Sequence, residues 1–131
     1  MAADRVVLVV EDEEPNRALL RAVLARSSDE RLGRIILLES GDLASARRIL
    51  AGRHVDLVLL DVRLPDGNGL TLIPVEDERT EDSPAFVVLS ASVLPSERAV
   101  ALAAGAADFL AKPYRPSDLI DVIAGQFIAS D

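Results

Sequence analysis

Five short runs rich in Val, Ile, Leu and Phe recur along the chain, at about residues 5–10, 34–39, 55–60, 85–90 and 107–111. They are apolar almost throughout rather than alternating, the mark of strands buried on both faces of a parallel sheet. Parallel neighbours need long crossovers, and the segments between the runs carry helical spacing. A first helix is predicted to open near Glu14-Pro15, with Leu19, Leu20, Val23 and Leu24 as its buried stripe. A second is predicted from Ser40-Gly41-Asp42, with Leu43, Ala46, Ile49 and Leu50 inward. A fourth starts near Pro95 or Ser96 and stops at Gly105, and a fifth follows Pro116-Ser117-Asp118 with Leu119, Ile120, Ile123 and Phe127 on one face. Pro74 would kink any third helix over residues 69–78, which should be short, bent or displaced. The expectation is an α/β fold: a doubly wound, five-stranded parallel sheet with five helices, residues 1–131 forming one domain.

Composition removes several classes of function. The chain has 131 residues, half of them apolar, enough for one core. With no cysteine and a single histidine, His54, disulfide frameworks, thiolate catalysis and multi-histidine metal centres are excluded. A formal net charge of −8 opposes binding to nucleic acid or anionic lipid, so neither direct nucleic-acid binding nor membrane association is expected. No run is long enough to cross a bilayer, and the start Met1-Ala2-Ala3-Asp4-Arg5 lacks a signal peptide's pattern, so a cytoplasmic location is expected.

Four polar groups fall just beyond the carboxyl ends of four apolar runs, where doubly wound sheets bind ligands: Glu11-Asp12, Asp61, Ser90 and Lys112. Each is ordinary by itself. An acidic pair suits a helix start, Asp61 before Pro65-Asp66-Gly67 suits a turn, a strand-end serine bonds locally, and Lys-Pro is a common loop dipeptide. Together they describe a pocket of carboxylates facing one ammonium. Carboxylates so close raise one another's pKa unless a cation offsets the repulsion, and Mg²⁺ prefers hard oxygen ligands of this kind. A carboxylate there can attack a phosphoryl group to give an acyl phosphate, with cations neutralising the equatorial oxygens.

The segments Val9-Val10-Glu11-Asp12-Glu13, Leu59-Leu60-Asp61-Val62-Arg63-Leu64-Pro65-Asp66-Gly67, Leu89-Ser90-Ala91 and Gly105-Ala106-Ala107-Asp108-Phe109-Leu110-Ala111-Lys112-Pro113 resemble the receiver domain of two-component response regulators, over nearly the whole chain. The resemblance implies a flavodoxin-like receiver fold with strand order 2-1-3-4-5. It also implies a signalling domain that catalyses its own phosphorylation and dephosphorylation rather than a conventional enzyme. By the same likeness Asp61 is the phosphoacceptor, while Glu11, Asp12, Asp61 and the backbone carbonyl of Arg63 hold Mg²⁺. Lys112 pairs with the acceptor and then with the phosphoryl group, Ser90 is the switch hydroxyl, and Phe109 is the aromatic that turns inward behind it. Lys112-Pro113 is expected to be cis, and Arg63 and Ser92 to tune the lifetime of the acyl phosphate.

The implied phosphodonor is a histidine on a sensor kinase or phosphotransfer protein. The output would pass to a protein target through the face made by the fourth helix, fifth strand and fifth helix, and a homodimer is left open. The fourth helix offers only Val100 and Leu102 as large apolar residues, so it should be lightly anchored and able to shift. The chain departs from the family pattern in having Glu11 where Asp is usual, Pro74 in the third helix, and Phe109, which has no hydroxyl to reward its inward turn. These residues end close to the fifth helix: a whole protein of this length would signal by docking or by passing the phosphoryl group on, whereas in a piece of a hybrid kinase or longer regulator the output would lie elsewhere.

Three rival readings come from other classes of protein. A flavin carrier would share the fold, but Glu11-Asp12-Glu13-Glu14 would repel its phosphate. An aspartate-nucleophile phosphatase normally has a second acid two residues after the nucleophile, where Arg63 stands. A pseudo-receiver that binds proteins without taking phosphate remains the alternative, argued against by the complete acceptor, metal acids and lysine.

Overall fold

The computed structural model describes residues 4–91 and 94–130, the side chains of 129 and 130 excepted. Five parallel strands, β1 (Arg5–Val10), β2 (Ile35–Ser40), β3 (Leu57–Asp61), β4 (Ala85–Ser90) and β5 (Asp108–Ala111), lie in the order 2-1-3-4-5. Between them run α1 (Glu14–Arg26), α2 (Leu43–Gly52) and α3 (Pro95–Ala104), and α4 (Pro116–Ser130) follows β5.

The unbroken apolar runs are explained by cover on both sides. Alternate residues of the central strands point to opposite faces. Leu8, Val10, Val58, Leu60, Phe86 and Val88 pack with Leu43 and Ala46 of α2, Leu72, Ile73 and Ala101 of α3. Val7, Val9, Leu57, Leu59, Val87 and Leu89 pack with Leu20 of α1 and Leu119, Ile123 and Phe127 of α4. Val7 through Val10 and Leu57 through Leu60 have no exposed surface, so a one-residue slip would still leave apolar groups inside. The helix ends, not the strand pattern, therefore help to define register. Asp42 caps α2 by accepting from the Ser45 N–H at 2.7 Å. Asp66, beyond β3, accepts from the Leu43 and Ala44 N–H groups at 2.8 and 3.1 Å, tying the β3 loop to the start of α2.

Two expectations need correction. There are four α-helices among the described residues rather than five: the third is replaced by two 3₁₀ turns, Gly69–Leu72 and Glu76–Glu78. Pro74 lacks an N–H and drives the residue before it out of the helical region, and Ile73 is extended at φ −73°, ψ 120°. Leu19 is not part of the buried stripe of α1, being 60% exposed while Leu20 is 2% exposed. With about 100° per residue, Leu19 lies too far around the helix from Leu20 to share a narrow contact stripe with Val23 and Leu24. The expected light anchoring of α3 is also seen: Ala101 is its buried residue, while Val100 and Leu102 are exposed. No helix among the described residues is long and apolar enough to cross a membrane.

Candidate functional site

Strand register brings the polar residues together. Val10 lies beside Leu60, Asp61 beside Leu89, and Ser90 beside Ala111, so the residues that follow β1 and β5 stand at the same sheet edge as the ends of β3 and β4. Two backbone bonds hold the outgoing chains there: Glu11 N–H to the Ser40 carbonyl at 2.9 Å, and Lys112 N–H to the Ser90 carbonyl at 2.7 Å. The Lys112-Pro113 peptide is cis.

Glu11 is buried, at 3% exposure, which an unpaired carboxylate would not tolerate. Lys112 Nζ donates to Glu11 Oε2 at 2.7 Å and to Asp61 Oδ2 at 3.4 Å. Glu11 Oε1 accepts from the Glu13 N–H at 3.2 Å and from Asn16 Nδ2 at 3.3 Å, and Asp61 Oδ1 accepts from the Arg63 N–H at 3.3 Å. Burial pushes Glu11 up, but the hydrogen bonds from Lys112 and the Glu13 N–H, with the lysine's charge, outweigh it and leave the carboxyl below its ordinary value. Asp61 goes the other way: burial raises it, Lys112 opposes, and the neighbouring Glu11 adds to the rise. Burial pulls Lys112 down, yet its two carboxylate partners hold it above the usual ammonium value. The lysine thus serves Glu11 more closely than Asp61, and Asp61 remains the more basic carboxylate.

Carboxylate oxygens of Glu11, Asp12 and Asp61 all lie within 4.8 Å of one another. All three donors are hard oxygens, and this closeness suits a small divalent cation that keeps several waters, so the residues present fit Mg²⁺. Asp61, Asp12, Arg63, Ser90 and Lys112 line one cavity of about 560 Å³. Ser90 is buried at its wall, and Phe109 packs half-buried against the core on the α2–α3 face. Ser92 lies outside the described residues.

Sequence reasoning missed four residues. Asn16 holds the Glu11 carboxylate, and the Arg17 guanidinium donates to the Glu11 carbonyl while also pairing with Glu14 at 2.6 Å. Their signal was available, since side chains in a helix's first turns point back towards its N-terminus. Gly69 had no such signal: a Cβ there would fall 2.0 Å from the Asp61 carbonyl oxygen. Glu97, in the first turn of α3, also lines the cavity.

Comparison with known proteins gives the chain its family. The chain is 36% identical over 114 residues to protein PetR of Rhodobacter capsulatus, covering 87% of this chain and 45% of that one. It is 38% identical over 113 residues to the KDP operon transcriptional regulatory protein KdpE of Escherichia coli, covering 86% and 47%. The chain spans about half the length of these curated relatives. Among solved structures, the receiver domain of sensor histidine kinase PA1611 from Pseudomonas aeruginosa, which has a magnesium ion coordinated in its active-site cleft, superposes with a TM-score of 0.76 at 26% identity, covering 95% and 98% of the two chains. The signal receiver domain of a Luxo repressor protein from Vibrio parahaemolyticus gives a TM-score of 0.83 at 21% identity, covering 98% and 93%. The family model described as the response regulator receiver domain matches residues 7–124, and with these relatives it shows that the chain belongs to that family.

Proposed function

We propose that the chain takes a phosphoryl group onto Asp61, in a Mg²⁺-dependent step, from a phosphohistidine of a sensor kinase or phosphotransfer protein. The observation that carries this reading is the placement of Asp61, raised in basicity by burial, beside two further acids close enough to share a cation and beside a shared lysine. An Asp61 carboxylate oxygen attacks phosphorus, the N–P bond breaks, and its electron pair stays on the donor imidazole. Glu11, Asp12, Asp61 and the Arg63 carbonyl would hold the magnesium ion, as the ion in the Pseudomonas receiver domain supports. When bound, it supplies charge neutralisation at a phosphoryl oxygen. Lys112 offers its ammonium to a second oxygen and the Ser90 hydroxyl donates to the third.

Output follows from what the site pulls on. Ser90 moving towards the phosphoryl group makes room for Phe109 to turn inward, where burial alone rewards it. α3, held by little apolar area, shifts with β5 and α4 into a surface that a protein target prefers. Arg63 and Ser92 set how long the acyl phosphate lasts, residues 1–131 make up one receiver domain, and that domain acts in the cytoplasm, as a monomer or as a homodimer. Incubation with Mg²⁺ and acetyl phosphate should add one phosphoryl mass, and Asp61→Asn should abolish the addition. Phosphorylation that persists in that variant, or none in the parent, refutes the reading.

A further inference from the structure

Two opposite charges, Arg63 and Glu97, stand on the lining of the Asp61 cavity. Arg63 leaves β3's end and Glu97 sits in the first turn of α3, on another wall of the same cavity. Both are exposed. Neither the Arg63 guanidinium nor the Glu97 carboxylate has a hydrogen-bond or ion-pair partner among the described residues, whereas Arg17, Arg21, Arg31 and Arg115 are each paired. Their backbones, by contrast, are tethered. The Arg63 N–H donates to Asp61 Oδ1 at 3.3 Å and its residue pairs with Asn68 in a two-residue hairpin, while the Glu97 N–H donates to the Leu94 carbonyl at 3.1 Å. Two anchored arms of opposite charge therefore flank the opening.

A phosphoryl group brings about −1.5 to −2 charge in place of the −1 of the Asp61 carboxylate, so about −0.5 to −1 is added to a cavity that already holds acidic side chains. Lys112 is engaged with Glu11 and Asp61, which leaves Arg63 as the cation of the cavity lining without a side-chain partner. A guanidinium has five donors in a planar fork and can bind phosphoryl oxygens and a carboxylate at once. We propose that, once Asp61 is phosphorylated, Arg63 and Glu97 close across the cavity mouth as an ion pair, with Arg63 also bonded to the phosphoryl oxygens, and thereby slow hydrolysis of the acyl phosphate. This rests on Asp61 being the phosphoacceptor, and it adds to that reading a positioning residue, Glu97, from the helix that is to move.

The reaction slowed is attack by water. Its oxygen bonds to phosphorus, the P–O bond to Asp61 breaks, Asp61 departs as carboxylate, and the water's proton leaves with inorganic phosphate or to solvent. Attack in line with the departing Asp61 oxygen brings water from the solvent side, the side the pair covers. Because one arm belongs to α3, the same clasp couples the phosphorylated state to that helix's position.

The test labels the full chain with ³²P-acetyl phosphate and Mg²⁺, removes the donor, and follows first-order loss of label. Arg63→Ala, which retains the backbone carbonyl, and Glu97→Gln should each shorten the half-life by roughly threefold, the size of an exposed charge pair. The double variant should decay no faster than Arg63→Ala alone, because Glu97 acts through Arg63. Arg98→Ala, on an exposed residue of the same helix, should decay like the parent. Longer life in Glu97→Gln, unchanged life in both single variants, or effects that multiply in the double variant overturn the clasp while leaving Asp61 as acceptor. A parent chain that takes no label overturns both.

Discussion

Gly69→Ala is a small change with a large expected consequence. A Cβ at residue 69 would stand 2.0 Å from the Asp61 carbonyl oxygen and 3.1 Å from the Asp61 carbonyl carbon and Leu60 Cδ1. Real Cβ contacts essentially never fall below 3.0 Å, so one backbone must give way by about 1 Å. Room to retreat is limited, since the Gly69 N–H donates to the Val62 carbonyl at 2.7 Å and Leu60 is fully buried. The displaced segment carries Asp61, the proposed acceptor. A misplacement of about 1 Å at a reacting group costs on the order of 100-fold in rate, and overpacking of this kind costs about 1–3 kcal/mol in stability. The assay is the initial rate of Asp61 phosphorylation by acetyl phosphate at saturating Mg²⁺, with urea unfolding to establish that the variant is folded. Gly125→Ala serves as the contrast: nothing lies within 4 Å of its Cβ, so phosphorylation should be unchanged. As a glycine within α4, its replacement should add about 0.5–1 kcal/mol of stability. A folded Gly69→Ala chain phosphorylated at the parent's rate would refute the argument.

Other expectations lie elsewhere in the molecule. Asp56 accepts the Val6 N–H at 2.8 Å and pairs with His54 at 2.8 Å; burial pushes its carboxyl up, but these two partners outweigh it and hold it below the ordinary value. A depressed pKa contributes stability above the unfolded value of about 3.9 and loses it as pH falls through the folded value. Asp56→Asn should therefore cost about 1–2 kcal/mol at pH 7 by urea titration, shrinking steadily below about pH 4; a cost independent of pH contradicts the assignment. Arg17→Ala removes the donor on the Glu11 carbonyl and should weaken Mg²⁺ binding by about tenfold in calorimetry, and unchanged affinity would show that Arg17 does not orient Glu11. Arg79 donates to the Pro74 carbonyl at 3.1 Å and the Ala104 carbonyl at 3.3 Å, so Arg79→Ala should speed amide hydrogen exchange in the last turn of α3 and leave α2 unaffected.

What was legible in the chain tracks the range of the forces involved. Strands buried on both faces leave a local signature, and all five were read to within a few residues; the capping pattern at Asp42 and the stop at Gly105, whose φ is 112°, are equally local. Asp61, the other acids and the lysine could be placed together because a parallel sheet delivers every strand end to one edge. Their division of labour could not. That Lys112 lies 2.7 Å from Glu11 but 3.4 Å from Asp61 depends on side-chain reach across residues far apart in sequence. Leu19 was misjudged because composition cannot say how narrow a docking stripe is, and Gly69 was overlooked because a glycine gives no sign of which backbone passes beside it. Pro74 announced a disturbance, but only the fold shows that two 3₁₀ turns take the helix's place.

The unequal sharing of Lys112 has a consequence for how such a site responds. Glu11 is the most buried of the three acids, so removing its ammonium partner would strand a carboxylate at a cost of several kcal/mol. Lys112 can turn towards a phosphoryl group on Asp61 only where another cation satisfies Glu11. Glu11 carries one methylene more than aspartate would, and its carboxylate holds the lysine at 2.7 Å. Replacing Glu11 by Asp should loosen that hold and bring the ammonium nearer to Asp61, lowering the acceptor's pKa. Carboxyl NMR titration without metal measures this directly, and an Asp61 pKa that stays put or rises in Glu11→Asp would mean that the lysine is positioned by its own backbone rather than by the charge it serves.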